Sequence, residues 1–319
     1  MPARILLAVD FLNLAFRAYY APGYTGLTSP DGRPSSAVFG MIAMTQALIK
    51  QSQATHVAFA FESIEQTHRD AMDAGYKAGR PTQPADFHDQ VDQANKAVGM
   101  MGWARYRAPH YEADDTLATL ATRALEHGFD HVYIATSDKD LFGAVAEHTS
   151  MLWTAQGMGK IGENTYTPAK VHERYGVLPA DFPDWKALAG DPSDRIKGCP
   201  GIGDKGASAL LTQFGTIEAM YARLEEIKSP SIRRKLEAGH EDVIHSLRMI
   251  HLNHEAELTP DFDPDAGELG FDDRAKTLAF LESWGMRSVI NRLPPVRTIS
   301  AASVASIAAP VPDEAAPFK

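Results

Sequence analysis

Cysteine is nearly absent from this sequence, whose 319 residues include a single one, Cys199. One thiol cannot form an internal disulfide, so the chain is not a disulfide-rich secreted scaffold and it fits a reducing compartment. Its 44% hydrophobic and 23% charged residues are typical of a globular protein that is long enough for one large core or two smaller ones. We therefore expect a cytoplasmic protein.

Long apolar runs are lacking as well. The N-terminal run covers only residues 5–9 before it meets Asp10, which is too short for the apolar region of a signal peptide or for a membrane span. No later run approaches the length of a span. We therefore expect no association with a membrane.

Positive charge is also scarce, since 31 Lys and Arg residues face 41 Asp and Glu residues and the formal net charge is −10. Phosphate affinity comes largely from Lys and Arg, so this balance taken alone argues against a nucleic-acid-binding protein. A nucleic-acid function therefore requires a locally basic surface.

Three short apolar runs each lead quickly into an acidic residue. The runs are 5–9, 57–61 and 131–135, and the acids are Asp10, Glu62 and Asp138. Runs of this length suit buried parallel strands, and the stretches 36–50 and 115–127 between them have helical patterns, so we predict an α/β fold. Ligand sites form beyond the carboxyl ends of such strands. A single acid there often only caps the next turn, but three acids indicate a shared site.

Further acids accompany these three. Glu112, Asp114 and Asp115 stand at the start of a predicted helix, where the helix dipole explains one or two of them. The remaining acids are Asp140, Asp191 and Asp194. If these groups meet, their repulsion requires bound cations. A site rich in carboxylates and lacking His and Cys favours Mg²⁺ or Mn²⁺, and paired ions of this kind commonly serve phosphodiester hydrolysis.

A glycine-rich segment follows at residues 198–207. It matches the dinucleotide-binding pattern G-x-G-x-x-G, but no apolar strand precedes it, which disfavours that function. We interpret residues 195–215 as a helix-hairpin-helix, in which Gly201, Gly203, Lys197 and Lys205 bind a backbone phosphate without reading bases. Residues 195–236 carry eight basic and four acidic side chains, so this region can provide the basic surface that the net charge does not.

The chain divides into three parts by pattern. Residues 1–167 form the predicted α/β domain, in which a polar, partly basic insertion at about 63–102 lies over the edge of the sheet. Residues 168–292 form a mainly helical subdomain that contains the hairpin. Residues 293–319 are rich in Ala, Ser and Pro and are expected to be a disordered tail.

From about residue 4 to 224, the chain resembles the bacterial and bacteriophage 5′-nuclease (flap endonuclease) family, which includes the 5′-3′ exonuclease domain of bacterial DNA polymerase I. The similar motifs are Val9-Asp10-Phe11, residues 111–115, residues 136–141, residues 190–194 and the hairpin at 201–205. The resemblance implies a PIN/FEN-like fold, which is a mostly parallel sheet flanked by helices, with a helical arch insertion and a following helical subdomain. Only about a hundred residues follow the hairpin, so we expect a stand-alone nuclease without a polymerase.

The resemblance also implies residue roles. A first metal ion would be held by Asp10, Glu62, Glu112 and Asp114, and a second by Asp138, Asp140, Asp191 and Asp194, with Asp115 close by; Asp10, Asp114 and Asp138 are the central catalytic ligands. In the arch, Lys77 and Arg80 would face the scissile phosphate and Arg69 would support it. Tyr20 and Phe87 are weaker candidates for contacts with unpaired bases. One departure is Glu62, because the family usually has Asp there, and the extra methylene could shift the ligand or the metal preference.

The implied activity is 5′-3′ exonuclease and flap endonuclease cleavage of DNA in replication and repair. Two or more Mg²⁺ or Mn²⁺ ions would activate water and stabilise the leaving oxyanion. The expected partner is DNA with a 5′ flap, a 5′ overhang or a frayed end, and a monovalent cation at the hairpin and a monomeric state are further expectations. Two alternatives stay open: a related metal nuclease that prefers RNA, and a non-catalytic protein that binds DNA junctions.

Overall fold

The protein is described from a computed structural model, which covers residues 3–77, 82–155, 164–270 and 274–293. Its centre is a six-stranded sheet with the order β3-β2-β1-β4-β5-β6. The strands are β1 (Ile5–Asp10), β2 (His56–Phe61), β3 (Ala104–Arg107), β4 (His131–Thr136), β5 (Thr149–Trp153) and β6 (Thr165–Tyr166). Neighbours from β3 to β5 pair in parallel, and only β6 is antiparallel.

Twelve α-helices surround or follow the sheet within the described ranges. They are α1 (Phe11–Tyr20), α2 (Ser36–Ser52), α3 (His68–Met72), α4 (Ala85–Met100), α5 (Ala113–Glu126), α6 (Pro168–Tyr175), α7 (Phe182–Ala189), α8 (Asp204–Phe214), α9 (Ile217–Tyr221), α10 (Pro230–Ile250), α11 (Arg274–Ser283) and α12 (Arg287–Ile290). None of these helices is both long and apolar enough to cross a bilayer. The α/β fold with a following helical region is therefore as predicted.

Alternate side chains of β1 build two cores, because successive residues of a strand point to opposite faces. Leu6 and Ala8 pack in the core beneath α5 and the helical region. Leu7 and Val9 pack in the core beneath α1, α2 and α4. The sheet is thus covered on both sides, as its continuous apolar strands require.

The strand order reverses beside β1, since β2 pairs with one side of β1 and β4 with the other. A crevice forms beyond the carboxyl ends of parallel strands at such a reversal. Asp10 ends β1, and Asp138 follows β4 by two residues. The topology therefore brings these two acids to one place.

The C-terminal part of the expected helical subdomain returns to the sheet. Thr259 pairs with Arg107 of β3, with N–H···O distances of 2.7 and 3.1 Å, and Glu268 bridges to His56. Leu281, Trp284 and other residues of the last two helices then join the core beneath α1, α2 and α4. Helices α11 and α12 consequently pack with the first domain. The division at residue 167 stays a prediction, and the tail beyond residue 293 lies outside the described residues.

A buried ion pair ties the insertion to α5 and to the end of α10. The Arg69 guanidinium, 3% exposed, donates to both carboxylate oxygens of Asp115 at 2.5 and 3.1 Å, and to the carbonyl oxygens of Met249 and His251 at 2.6 and 3.0 Å. Asp115 also accepts from the Asn253 N–H at 2.8 Å. Every group in this network is thereby satisfied, which is what a buried charge requires.

We expect Asp115→Asn to lower the free energy of unfolding by about 1–3 kcal/mol, because the buried Arg69 then keeps only Glu112 as a charged partner and loses its charge-assisted hydrogen bonds to Asp115. Urea unfolding at neutral pH measures this. Glu126→Gln is the matched control, since its pair with Arg123 lies at the surface and should contribute less than about 1 kcal/mol. Similar losses in the two variants would contradict a structural role for the buried pair.

Candidate active site

The centre of the site consists of three carboxylates at the carboxyl edge of the sheet. One oxygen from each of Asp114, Asp138 and Asp140 lies within 4.8 Å of the other two. Asp114 stands in the first turn of α5, and Asp138 caps the 3₁₀ helix Lys139–Ala144 by accepting from the Asp140 N–H at 3.0 Å. The N-terminal ends of α5 and of this 3₁₀ helix therefore bring the three acids together.

Asp10 borders this group and is oriented by two hydrogen bonds. Its Oδ1 accepts from the Asn13 N–H at 3.0 Å, which caps α1, and its Oδ2 accepts from the Thr136 hydroxyl at 2.9 Å. Burial raises the pKa of Asp10 to about 6, partly offset by these hydrogen bonds. The two hydrogen bonds thus orient Asp10 and favour its charged form, but they do not fully offset the effect of burial.

Glu62 and Glu112 form the side of the site nearest the insertion. Glu62 accepts from the Ala113 N–H at 3.1 Å, and Glu112 accepts from Lys77 Nζ at 2.5 Å and from Arg69 Nη1 and the Tyr76 hydroxyl, each at 3.1 Å. Burial opposes the charge of Glu112, but Lys77 and Arg69 outweigh it and hold its pKa below the usual range. Lys77 therefore lies among the acids of the site, which we call the carboxylate cluster: Asp10, Glu62, Glu112, Asp114, Asp138 and Asp140.

The expected second set of acids surrounds a buried lysine. Lys186 of α7, 3% exposed, forms ion pairs with Asp140, with Asp191 at 3.0 Å and with Asp194 at 3.9 Å. Burial opposes the charge of Lys186, but the charges of Asp140, Asp138 and Asp191 outweigh it and raise its pKa. Lys186 was not predicted as a site residue, and its signal in the sequence is a lone cation within the apolar stretch 185–189.

Several of these acids resist ionisation. Burial, followed by the charges of Asp138 and Asp10, raises the pKa of Asp114 well above its usual value. Burial is also the leading cause for Glu62 and Asp140, whose pKa values rise to about 7. Burial is thus the main reason why these carboxylates resist ionisation, and bound cations would favour their charged forms. Because the available donors are carboxylate oxygens, the residues fit hard divalent ions such as Mg²⁺ or Mn²⁺.

Some predicted residues lie elsewhere than expected. Arg69 and Asp115 are buried against each other, and Arg69 also donates to Glu112, so the expected contacts of these two side chains with DNA and with a metal stay predictions. Phe87 is 1% exposed and packs against Tyr19, which places it in the core. Tyr20 is 49% exposed on α1 and donates to Gln83, so it remains accessible. Arg80 lies outside the described residues.

The glycine hairpin joins α7 to α8. The predicted helix-hairpin-helix began at about residue 195, but its first helix, α7, already ends at Ala189. Gly201 has φ +81°, a left-handed value that favours glycine, and its carbonyl accepts from Lys235 at 3.0 Å. Gly203 precedes α8 and has open space where a side chain would stand. Lys205 is exposed on α8, and Lys197 pairs with Asp242 at 3.1 Å. The predicted phosphate contacts are thus at the surface.

Comparisons with known proteins identify the family of the chain. Residues 5–176 match the family model of the 5′-3′ exonuclease N-terminal resolvase-like domain, and residues 177–269 match that of the 5′-3′ exonuclease C-terminal SAM fold. The chain belongs to the 5′-3′ exonuclease family.

Curated relatives of this chain include DNA polymerases. It is 36% identical over 224 residues to DNA polymerase I of Mycobacterium leprae (strain TN), which covers 70% of this chain and 24% of that protein. It is 39% identical over 263 residues to the thermostable DNA polymerase I of Thermus filiformis, which covers 82% and 30%. The chain therefore spans about a quarter to a third of the length of these relatives.

Solved structures share the fold. The bacteriophage T5 D15 protein co-crystallised with metal ions has a TM-score of 0.64 at 18% identity, covering 96% of this chain and all of that one. The catalytic core of Rad2 in complex with a DNA substrate has a TM-score of 0.58 at 15% identity, covering 93% of each chain. At these identities the likeness establishes the fold alone.

We expect divalent ions to stabilise the exonuclease more at about pH 8 than at about pH 5.5. Asp10, Glu62 and Asp140 have raised pKa values when folded, so without metal they contribute stability at low pH that is lost as pH rises towards about 7. Metal ions that bind the ionised carboxylates should restore it. Thermal unfolding with Mg²⁺ or with EDTA at both pH values measures this. A metal-induced shift in Tm that is equal at the two pH values would contradict a site built from these groups.

Proposed function

We propose that this protein is a divalent-metal-dependent 5′-3′ exonuclease and flap endonuclease that acts on DNA in replication and repair. The observation that carries the proposal is the convergence of Asp114, Asp138 and Asp140 beside Asp10 at the strand-order reversal. Membership of the 5′-3′ exonuclease family supports it. The bacteriophage T5 D15 flap endonuclease, a structural neighbour, is described in a complex with DNA and metal ions.

The proposed chemistry is hydrolysis of a backbone phosphodiester. Two or more Mg²⁺ or Mn²⁺ ions, held by the carboxylate cluster, would neutralise the phosphate and supply an activated water. The protein's own part is to orient the carboxylates, with Asp10 fixed by Asn13 and Thr136. Lys77 adds a positive charge close to Glu112 and Glu62, in position to stabilise charge that develops on the phosphoryl group.

The proposed substrate is DNA with a 5′ flap, a 5′ overhang or a frayed end. The hairpin around Gly201 and Gly203 would hold the duplex through backbone phosphates, with Lys205 as a charge contact and a monovalent cation as a further ligand of the loop. Junction shape, not base sequence, would then select the substrate. A monomeric state and a cytoplasmic location belong to the same proposal.

We expect Asp138→Ala and Asp114→Ala to abolish cleavage of a labelled 5′-flap duplex in Mg²⁺ or Mn²⁺, because each removes a carboxylate from the central cluster. Binding of the same duplex in Ca²⁺ should survive, since the hairpin is a separate surface. Asp130→Ala is the control, because its carboxylate pairs with the Arg4 N–H at the far end of β4. Cleavage near the wild-type rate in either cluster variant would overturn the metal assignment, and binding without cleavage by the wild type would favour a junction-binding protein.

Lys77→Ala should reduce the single-turnover cleavage rate more than the affinity for DNA, with a loss of about 2–4 kcal/mol in transition-state stabilisation, by analogy with removal of an oxyanion donor. Lys96→Ala, at an exposed position of α4, controls for the loss of one lysine from the surface. The measurement is a single-turnover rate at saturating enzyme. An unchanged rate in Lys77→Ala would remove this side chain from the reaction.

A further inference from the structure

A second basic feature lies between the carboxylate cluster and the hairpin. A cavity of about 630 Å³ is bounded by α6, α7, α8 and the 3₁₀ helix Lys139–Ala144. Its lining includes the ion pair of Lys186 with Asp191, which lies beside the carboxylate cluster. It also includes Asp204 and Lys205 at the start of α8. We call it the interhelical cavity. It adjoins both surfaces that the proposed function assigns to DNA.

Unpaired positive charge converges on the interhelical cavity. Lys139, Arg174 and Lys205 line it, and none of them forms an ion pair with a carboxylate in the part of the chain that the structure describes. Lys186 is different, because it is buried and already neutralised by Asp140 and Asp191. Among the lining acids this leaves Asp204 alone to oppose three cations. The cavity therefore carries a positive excess and suits an anion.

Arg174 is held in a way that leaves its charge available. Its guanidinium carbon lies 5.3, 5.5 and 5.9 Å from the ring centroids of Tyr175, Tyr166 and Trp153, and it donates to the Tyr166 hydroxyl. Aromatic faces orient a guanidinium without cancelling its charge. Its planar fork of donors suits a phosphate better than an isolated ammonium does.

The walls of the cavity are fixed by hydrogen bonds between its helices. The Ser208 hydroxyl of α8 donates to the Tyr175 carbonyl of α6 at 2.7 Å, and the Trp185 indole of α7 donates to the same hydroxyl at 3.0 Å. These hydrogen bonds thus join α6, α7 and α8 where they line the cavity. A site whose walls are already positioned loses little entropy when a ligand binds.

We propose that the interhelical cavity binds a backbone phosphate of the duplex DNA between the carboxylate cluster and the hairpin, with Arg174 and Lys139 as its principal contacts. This inference rests on the proposed function. Phosphates recur along each strand of a duplex, so a strand bound at both neighbouring surfaces passes the cavity. Contacts of this kind fix the register of the duplex without reading its sequence.

The test is the salt dependence of DNA affinity in Ca²⁺, measured for the full chain with a 5′-flap duplex and with a blunt duplex. Each of Lys139→Gln and Arg174→Gln should weaken binding to both DNAs and make the slope of log affinity against log salt shallower by about 0.9. Arg174→Lys should retain most of the slope, and it tests the charge even if Arg174→Gln is poorly folded. Arg123→Gln, at the surface pair with Glu126, should leave affinity and slope unchanged.

Each outcome decides the proposal. Wild-type slopes in Lys139→Gln and Arg174→Gln, or an equal loss in Arg123→Gln, would overturn the site. A change confined to the flapped substrate would show that the cavity holds the flap strand, and the duplex assignment would fail. Cleavage by the wild type in Mg²⁺ is measured in parallel, so failure of the proposed function appears as bound but uncut DNA. A wild type that binds neither DNA would overturn both proposals.

Discussion

Repulsion among buried carboxylates is the constraint on which the arrangement of this protein depends. The sheet and α5 place Asp10, Asp114 and Asp138 close together, and burial raises the pKa of both Asp10 and Asp114. Cations from other parts of the chain reduce the repulsion, Lys77 from the insertion and Lys186 from α7. The acidic centre therefore couples the sheet, the insertion and the helical region electrostatically. Divalent ions bound among these carboxylates would reduce the repulsion further.

Much of the fold could be predicted because its main strands are recognisable in the sequence. Strands β1, β2 and β4 are continuous apolar runs, and the structure extends each by one residue beyond the predicted bounds. Strand β3 has the sequence Ala-Arg-Tyr-Arg. Because two of its four residues are charged, it does not form an apolar run and was not predicted. The return of residues 259–270 and 274–290 to the first domain was not predictable either, because it depends on backbone pairing with Arg107 and on distant packing.

The site was predicted less completely than the fold. Acids at strand ends and helix starts are visible in the sequence, but which of them face one another is a matter of three-dimensional pairing. Asp115 differs from Asp114 by one position, and this turns it away from the cluster towards Arg69. Lys186 and Arg69 become recognisable as partners of acids only when α7 and the insertion are folded against α5 and the loops around it. Local pattern does not encode such long-range charge pairing.

The return of the chain along β3 also bears on how the molecule behaves among its own copies. An open parallel sheet ends in strands whose unpaired N–H and C=O groups can recruit strands of other molecules. Here Thr259 occupies part of the outer side of β3 through its bonds with Arg107, and the opposite border is the two-residue strand β6. Both borders thus offer little template for intermolecular pairing. The C-terminal segment that pairs with β3 and completes the core beneath α1 therefore also protects the β3 edge of this sheet against aggregation.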